Sequence, residues 1–162
     1  MLTACWPAKG ENTGYVRLHV IAASDSRADQ TLKLKVRDAA LTCARELLAE
    51  AGDADTAWDI VNHGLDALEA AAKACAREAG YNGPVRCVAG VFAFPPRQYG
   101  DTRLPAGQYR ALRVVIGPGA GHNWWCVLYP DLCYPEGVDP EHPEFYSVIW
   151  RWLTGLFGGG EA

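Results

Sequence analysis

Residues 117–134 read GPGAGHNWWCVLYPDLCY, and this segment is the most informative feature of the sequence. Three glycines within five positions allow positive φ angles and add no side-chain bulk. The adjacent tryptophans Trp124 and Trp125 follow at once, and two cysteines lie seven positions apart in the same segment. We therefore predict a turn at 117–121 and a strand at 123–129, and we expect the functional surface to lie close to them.

The segments before this turn show the periodicities of strands and helices in a definite order. Residues 15–22 alternate apolar and polar side chains, which is typical of a strand. Ser26 followed by Asp29 has the form of a helix capping box, and a helical stripe of apolar residues then continues to a stop at Gly52. The remaining predicted elements are a helix at 55–79 and strands at 85–94 and 109–116.

The order β-α-α-β-β-β predicts an α+β fold of two layers, with a mainly antiparallel sheet and a C-terminal aromatic helix. The glycine turn would make strands 109–116 and 123–129 antiparallel neighbours in a hairpin. The proline-rich segment 94–101 predicts a loop, since proline lacks the N–H that a central strand needs.

A single domain at residues 14–134 accounts for these elements. Residues 1–13 are predicted to be a leader, in which Leu2–Cys5 resembles the end of an export signal; a disordered start is the alternative. Residues 135–143 are a polar linker, and residues 144–157 are predicted to form an amphipathic C-terminal helix. So apolar a tail must dock on its own domain, on a partner or at a membrane surface.

Composition excludes several classes of function. A net charge of −4, without any dense cluster of lysine and arginine, argues against a nucleic-acid partner. No apolar run reaches the roughly 20 residues that cross a bilayer. Six cysteines, an even number without any C-x-x-C pair, favour an oxidising compartment over a zinc ribbon.

The cysteines allow more than one arrangement. A disulfide between Cys126 and Cys133 fits the short corner between them, and two buried free thiols are the alternative. Cys43 and Cys75 fall on the apolar stripes of the two helices, which favours burial in the core. A bridge between these two, or from Cys75 to Cys87, stays open.

Catalytic and cofactor interpretations of the glycine segment are weak. The run lacks the Lys-Ser/Thr of a phosphate loop and is followed by a strand rather than a helix. His122, Cys126 and Cys133 supply only three metal ligands at unusual spacing. A thiol hydrolase with Cys126 as nucleophile and His122 as base is the alternative that we keep. No known catalytic set is present, and we predict a protein that is not an enzyme and holds no cofactor.

Residues of the types that dominate interface energetics lie in two places. In and after the proline-rich segment they can equally serve to cover the sheet, and whether the two tryptophans face a partner or the core stays open. The candidate partner-binding residues are Arg97, Tyr99, Arg103, Asn123, Trp124 and Trp125.

Several long motifs resemble the stage II sporulation protein R family of endospore-forming bacteria. They occur in the family's order and together cover about residues 15–134. The matching segments are VRLHVIAASDS (16–26), DQxLKLKVRDA (29–39), FPxRxYG (94–100), LPAGxYxALRV (104–114) and IGxGxGxNWWCVL (116–128).

The resemblance implies a secreted signalling protein and not an enzyme. Such proteins are exported from the forespore into the space between the two sporangial membranes. There they trigger a membrane-embedded aspartic protease of the mother cell, which removes the pro-sequence of the sigma-E precursor. The chain shows no export signal of its own, which is its departure from the family pattern.

Overall fold

The structure is a computed structural model, and it describes residues 12–130. Three helices and six strands build an α+β fold, as predicted, with a mixed sheet of four strands and a separate two-stranded hairpin. The elements are β1 (Asn12–Ile21), α1 (Arg27–Leu47), α2 (Ala54–His63), α3 (Leu65–Glu78), β2 (Val85–Phe94), β3 (Arg97–Tyr99), β4 (Thr102–Leu104), β5 (Gly107–Ile116) and β6 (Asn123–Tyr129).

The order of the sheet corrects the predicted hairpin between β5 and β6. Strand β1 lies between them, so that the order is β2-β5-β1-β6. Strand β1 pairs parallel with β5 and antiparallel with β6, and β2 pairs antiparallel with β5. The glycine turn therefore carries the chain past the end of β1 instead of folding it back on β5. Buried side chains at every position from Val16 to Val20 mark β1 as a central strand.

Helix α1 begins as its sequence predicts. The Ser26 side chain accepts a hydrogen bond from the Asp29 backbone N–H (3.1 Å). The return contact of the capping box is indirect, because the Ser26 N–H donates to the Ser24 hydroxyl (3.1 Å), which in turn donates to the Asp29 carboxylate (2.5 Å).

The predicted single helix at 55–79 is two helices that meet at Gly64. This residue ends α2 and begins α3. A Cβ atom at this position would lie 2.8 Å from Leu47 Cδ1 and 3.0 Å from the Ile60 carbonyl oxygen. The prediction was wrong here because the apolar stripe continues through the break, and the sequence pattern does not show that Leu47 of α1 leaves no room for a side chain at position 64.

The proline-rich segment also contains regular structure that was predicted as loop. Strands β3 and β4 form a short antiparallel hairpin. Its prolines precede β3, so they remove no ladder hydrogen bond from it.

The three helices cover one face of the sheet, and the hairpin packs on the other. The helix-side core joins strand residues such as Leu18, Val20 and Val114 to helix residues such as Val36 and Leu68. On the opposite face, Tyr99 and Leu104 of the hairpin pack with Val127 of β6. Because the hairpin is short, it covers only part of that face. Residues 1–11 of the predicted leader, Cys133, the linker and the C-terminal helix lie outside the described residues.

Candidate partner-binding face

Strand register places side chains in rows across the sheet face opposite the helices. The rows follow directly from the residue pairs between neighbouring strands, and they run in the order β2, β5, β1, β6. They are Gly90-Ala111-Arg17-Val127, then Val88-Arg113-His19-Trp125, then Arg86-Val115-Ile21-Asn123.

The first row contains Arg17, whose guanidinium is surrounded by aromatic rings. Arg17 is fully buried, and its guanidinium carbon lies 4.1 Å from the ring centroid of Phe94 and 4.8 Å from that of Tyr109. Its Nη2 donates a hydrogen bond to the Tyr99 hydroxyl. Desolvated cation–π contacts of this kind contribute about 2 kcal/mol or more each. Arg17 therefore fastens the β3–β4 hairpin to the sheet.

The second row is built on a buried, neutral histidine. The His19 ring is stacked on Trp125 at a centroid distance of 3.8 Å, and its Nδ1 accepts a hydrogen bond from Arg113 Nε (3.1 Å). Burial lowers the pKa of His19 to about 4; the Asn123 side chain opposes this and the nearby arginine charges reinforce it. The neutral ring lets Trp125 and Arg113 pack close together around it.

Beyond the hairpin the sheet face is partly open. Val88 is 46% exposed, and Arg86 and Asn123 are exposed. The half-buried residues here are Ile21, Arg113, Val115 and Trp125. The guanidinium carbon of Arg113 lies 3.8 Å from the ring centroid of Phe92, and this contact orients the guanidinium along the sheet. We call this surface the open face, and its members are Ile21, Arg86, Val88, Arg113, Val115, Asn123 and Trp125.

The glycine turn borders the open face and is built for close packing. Gly117 and Gly119 have φ of 56° and 61°, in the left-handed region that favours glycine. A Cβ atom at Gly121 would lie 2.3 Å from the Ser24 carbonyl oxygen. This third glycine is therefore required by the approach of the segment that follows β1.

Backbone donors of the turn are already used within the protein, which agrees with rejecting a phosphate loop. The Gly117, Gly119 and Gly121 N–H groups donate to backbone carbonyl oxygens at 2.8, 3.1 and 2.9 Å. The His122 N–H donates to the Asp25 carboxylate (2.6 Å). The turn thus fixes the end of β1 and leaves no row of free donors for an anion.

The two candidate tryptophans, Trp124 and Trp125, point to opposite faces of the sheet, because side chains alternate along a strand. Trp125 and Asn123 belong to the open face. Trp124 packs against the helix-side core, with the Arg37 guanidinium 4.3 Å from its ring centroid. Only one residue of the tryptophan pair is therefore placed to meet a partner on the open face.

The candidates of the proline-rich segment also separate. Tyr99 is only 2% exposed and holds the hairpin from inside, so it presents no contact surface of its own. Arg97 is half-buried, on the side of the hairpin that Tyr99 and Leu104 share. Arg103 is exposed on the outer side, opposite Gln98. The hairpin mainly covers the sheet, which was the alternative interpretation of these residues.

Sequence reasoning missed most of the open face. Its members lie on four strands, and only the parallel pairing of β1 with β5 brings the set together. The local pattern marks these positions simply as the polar or second side of each strand. The missed residues are Ile21, Arg86, Val88, Arg113 and Val115.

Cys126 and His122 do not form the accessible pair of side chains that a thiol hydrolase needs. Cys126 is 1% exposed, on the helix side of β6, whereas the His122 ring is largely exposed and contacts the Asp25 carboxylate (2.5 Å). Burial raises the pKa of the Cys87 thiol to about 12, which suppresses the thiolate. The hydrolase alternative is therefore not supported. Cys133 lies outside the described residues, and its bridge to Cys126 stays a prediction.

The fold defines an α+β protein with a mixed four-stranded sheet, three helices on one face of it, and a short hairpin and the open face on the other. A family model described as stage II sporulation protein R matches residues 12–139. The chain is also 34% identical, over 119 residues, to stage II sporulation protein R of Bacillus subtilis (strain 168). We conclude that the chain belongs to the stage II sporulation protein R family, a family of sporulation signalling proteins.

The match with the Bacillus subtilis protein covers only part of that protein. The alignment with the Bacillus subtilis protein covers 74% of this chain and 53% of that protein, so the chain spans about half the length of its curated relative. No solved structure matches the chain significantly. Among residues 12–130, none of the helices has the length and apolar character to span a membrane.

Proposed function

We propose that this chain is an extracytoplasmic sporulation signal that activates a membrane-embedded aspartic protease by binding to it. The protease then removes the pro-sequence of the sigma-E precursor. Family membership supports the sporulation role, and the sequence resemblance supplies the protease as the partner. The proposed location is the space between the forespore and mother-cell membranes.

The observation that carries the contact assignment is the open face. It combines a tryptophan and two arginines, the residue types that supply much of the binding energy at interfaces, with an exposed valine and two half-buried aliphatic side chains. Its base is rigid, because the Arg17 cluster and the His19–Trp125 stack hold the strands' side chains in place. A preorganised surface loses little side-chain entropy on binding.

A test in sporulating cells uses two exposed residues that do not support the fold. Arg86→Glu and Val88→Asp place acidic groups on the open face. We expect both to block processing of the sigma-E precursor while the protein accumulates to its normal amount. The matched control is Arg77→Glu, which makes the same charge change at an exposed position of α3. Normal processing in both open-face variants would contradict the contact assignment.

The C-terminal segment provides a second, separate contact in this proposal. Residues 144–157 carry nine large apolar or aromatic side chains and two charged ones, a composition suited to peripheral membrane contact. Co-sedimentation of the whole chain with liposomes, compared with a chain shortened after residue 143, tests this. Equal recovery of both proteins with the liposomes would show that the segment does not bind membranes.

A further inference from the structure

Strand β2 forms one edge of the sheet, and its outer side is long and regular. It pairs with β5 over all ten of its residues, from Val85 to Phe94, without a bulge. Within residues 12–130 no strand lies on its other side. An edge of this kind presents a row of backbone donors and acceptors that another strand can use.

One contact shows which backbone groups face outward. The Cys87 N–H donates to the Glu69 carboxylate of α3 (2.9 Å) and so does not bond to β5. Because backbone groups alternate in direction along an antiparallel strand, Ala89, Val91 and Ala93 also direct theirs to the free edge. Glu69, held by Lys73, thus blocks the start of the edge and leaves residues 89–93 accessible.

The side chains along this edge lack the usual protection against pairing. Natural edges carry charges, prolines or bulges, whereas β2 has a single charge, at Arg86. The two large hydrophobic residues that are exposed in the described part of the chain both lie here. They are Val88 and Val91, exposed by 46% and 44%. Their positions differ by an odd number, so they lie on opposite faces of the strand.

We propose that residues 89–93 of β2 pair antiparallel with the same residues of a second copy of this chain. The register has Val91 opposite Val91 of the second copy and Ala89 opposite Ala93. In this register Cys87 lies opposite Pro95 of the second copy. The Cys87 N–H already donates to Glu69, and Pro95 has no N–H, so the ladder ends at these two positions without leaving an unpaired N–H donor. No two like charges lie opposite each other in this register, because Arg86, the one charged residue of β2, lies outside the ladder.

The occupant is a second copy because the edge is self-complementary. An antiparallel two-fold pairing buries the exposed Val91 of each copy against the other, and it sets Val88 across from Phe94. The two-fold axis runs perpendicular to the sheet, so both open faces lie on the same side of one eight-stranded sheet. Such a dimer would present two contact faces together. This inference does not rest on the proposed function.

Sedimentation velocity of the full chain at about 1–100 μM tests the pairing. We expect the unmodified chain to form a dimer, and Val91→Lys and Val91→Glu each to raise the dimer Kd about tenfold or more, since like charges then lie directly opposite each other. Mixing the two variants one to one should restore the dimer, because Lys and Glu then face one another. Gln98→Lys, exposed on β3, is the control and should dimerise normally.

Each outcome decides the proposal once circular dichroism shows that the variants are folded. An unmodified chain that stays monomeric at 100 μM would overturn it, as would a Val91→Lys dimer of unchanged Kd. A mixture that stays monomeric would exclude this register. If the chain is monomeric and the Val91 variants instead lose binding to the protease, the edge serves a partner strand and the homodimer is refuted.

Discussion

Acidification should destabilise this protein through His19, and the structure gives the size of the effect. The ring is 3% exposed and its pKa falls from 6.5 to about 4, chiefly because burial disfavours the charged form. A histidine with a lowered pKa in the folded state contributes full stability above pH 6.5. That contribution is lost as the pH falls through 6.5 towards 4, because the unfolded chain then binds the proton more tightly.

The expected loss follows from linkage. Each tenfold difference in proton affinity is worth about 1.4 kcal/mol, so the free energy of unfolding should fall by about 2 kcal/mol at pH 5 and about 3 kcal/mol at pH 4. The assay is urea unfolding of the full chain between pH 7 and pH 4, compared with His19→Gln. Glutamine keeps a neutral polar side chain at position 19 and cannot be protonated in this range.

The comparison isolates the histidine from other titrating groups. The pKa of Asp25 is lowered mainly by its hydrogen bonds with His122, and the pKa of Glu69 mainly by its hydrogen bond with Lys73. Both carboxylates are present in the unmodified chain and in His19→Gln, so their effects cancel in the difference. The difference in unfolding free energy between the unmodified chain and His19→Gln should therefore change with pH by the amount above. A difference that stays constant from pH 7 to pH 4 would refute a buried neutral histidine.

Three further predictions concern stability and are checked by urea unfolding at pH 7. Gly121→Ala should cost about 2 kcal/mol or more, because its Cβ would overlap a backbone carbonyl, whereas Gly52→Ala, with no atom within 4 Å, should cost almost nothing; equal effects would contradict the close approach. Tyr99→Phe should cost about 1–3 kcal/mol by removing the hydroxyl that accepts from buried Arg17, and an unchanged midpoint would argue against that bond. Ser26→Ala should cost about 1 kcal/mol through loss of the helix cap, and a neutral result would mean that Ser24 suffices.

Local patterns predicted the parts of the fold that depend on neighbours in sequence. The cap at Ser26 and the alternation through Val16, Leu18 and Val20 were both confirmed. The same alternation placed Arg17 and His19 on the second side of the strand, which a sequence pattern treats as the solvent side. They are buried because the strand is central and the hairpin and Trp125 cover them.

The errors arose where distant segments decide the outcome. The insertion of β1 between β5 and β6 cannot be inferred from a turn sequence, since the turn is compatible with a hairpin and with a crossover. At the break, Leu47 of α1 leaves no room for a side chain at Gly64, and this contact is between segments distant in sequence. Of the open face, only Asn123 and Trp125 were predicted, because they stand in one distinctive segment. The rest required the strand register.

Binding of the full chain to the membrane-embedded protease, reconstituted in lipid nanodiscs, tests the central claim most directly. The account predicts that Arg86→Glu, at a position outside the proposed β2–β2 ladder, raises the Kd at least about tenfold, while Arg77→Glu, with the same charge change, binds like the unmodified chain. Unchanged binding of folded Arg86→Glu, or an equal loss in Arg77→Glu, would contradict the claim that the open face is the contact surface.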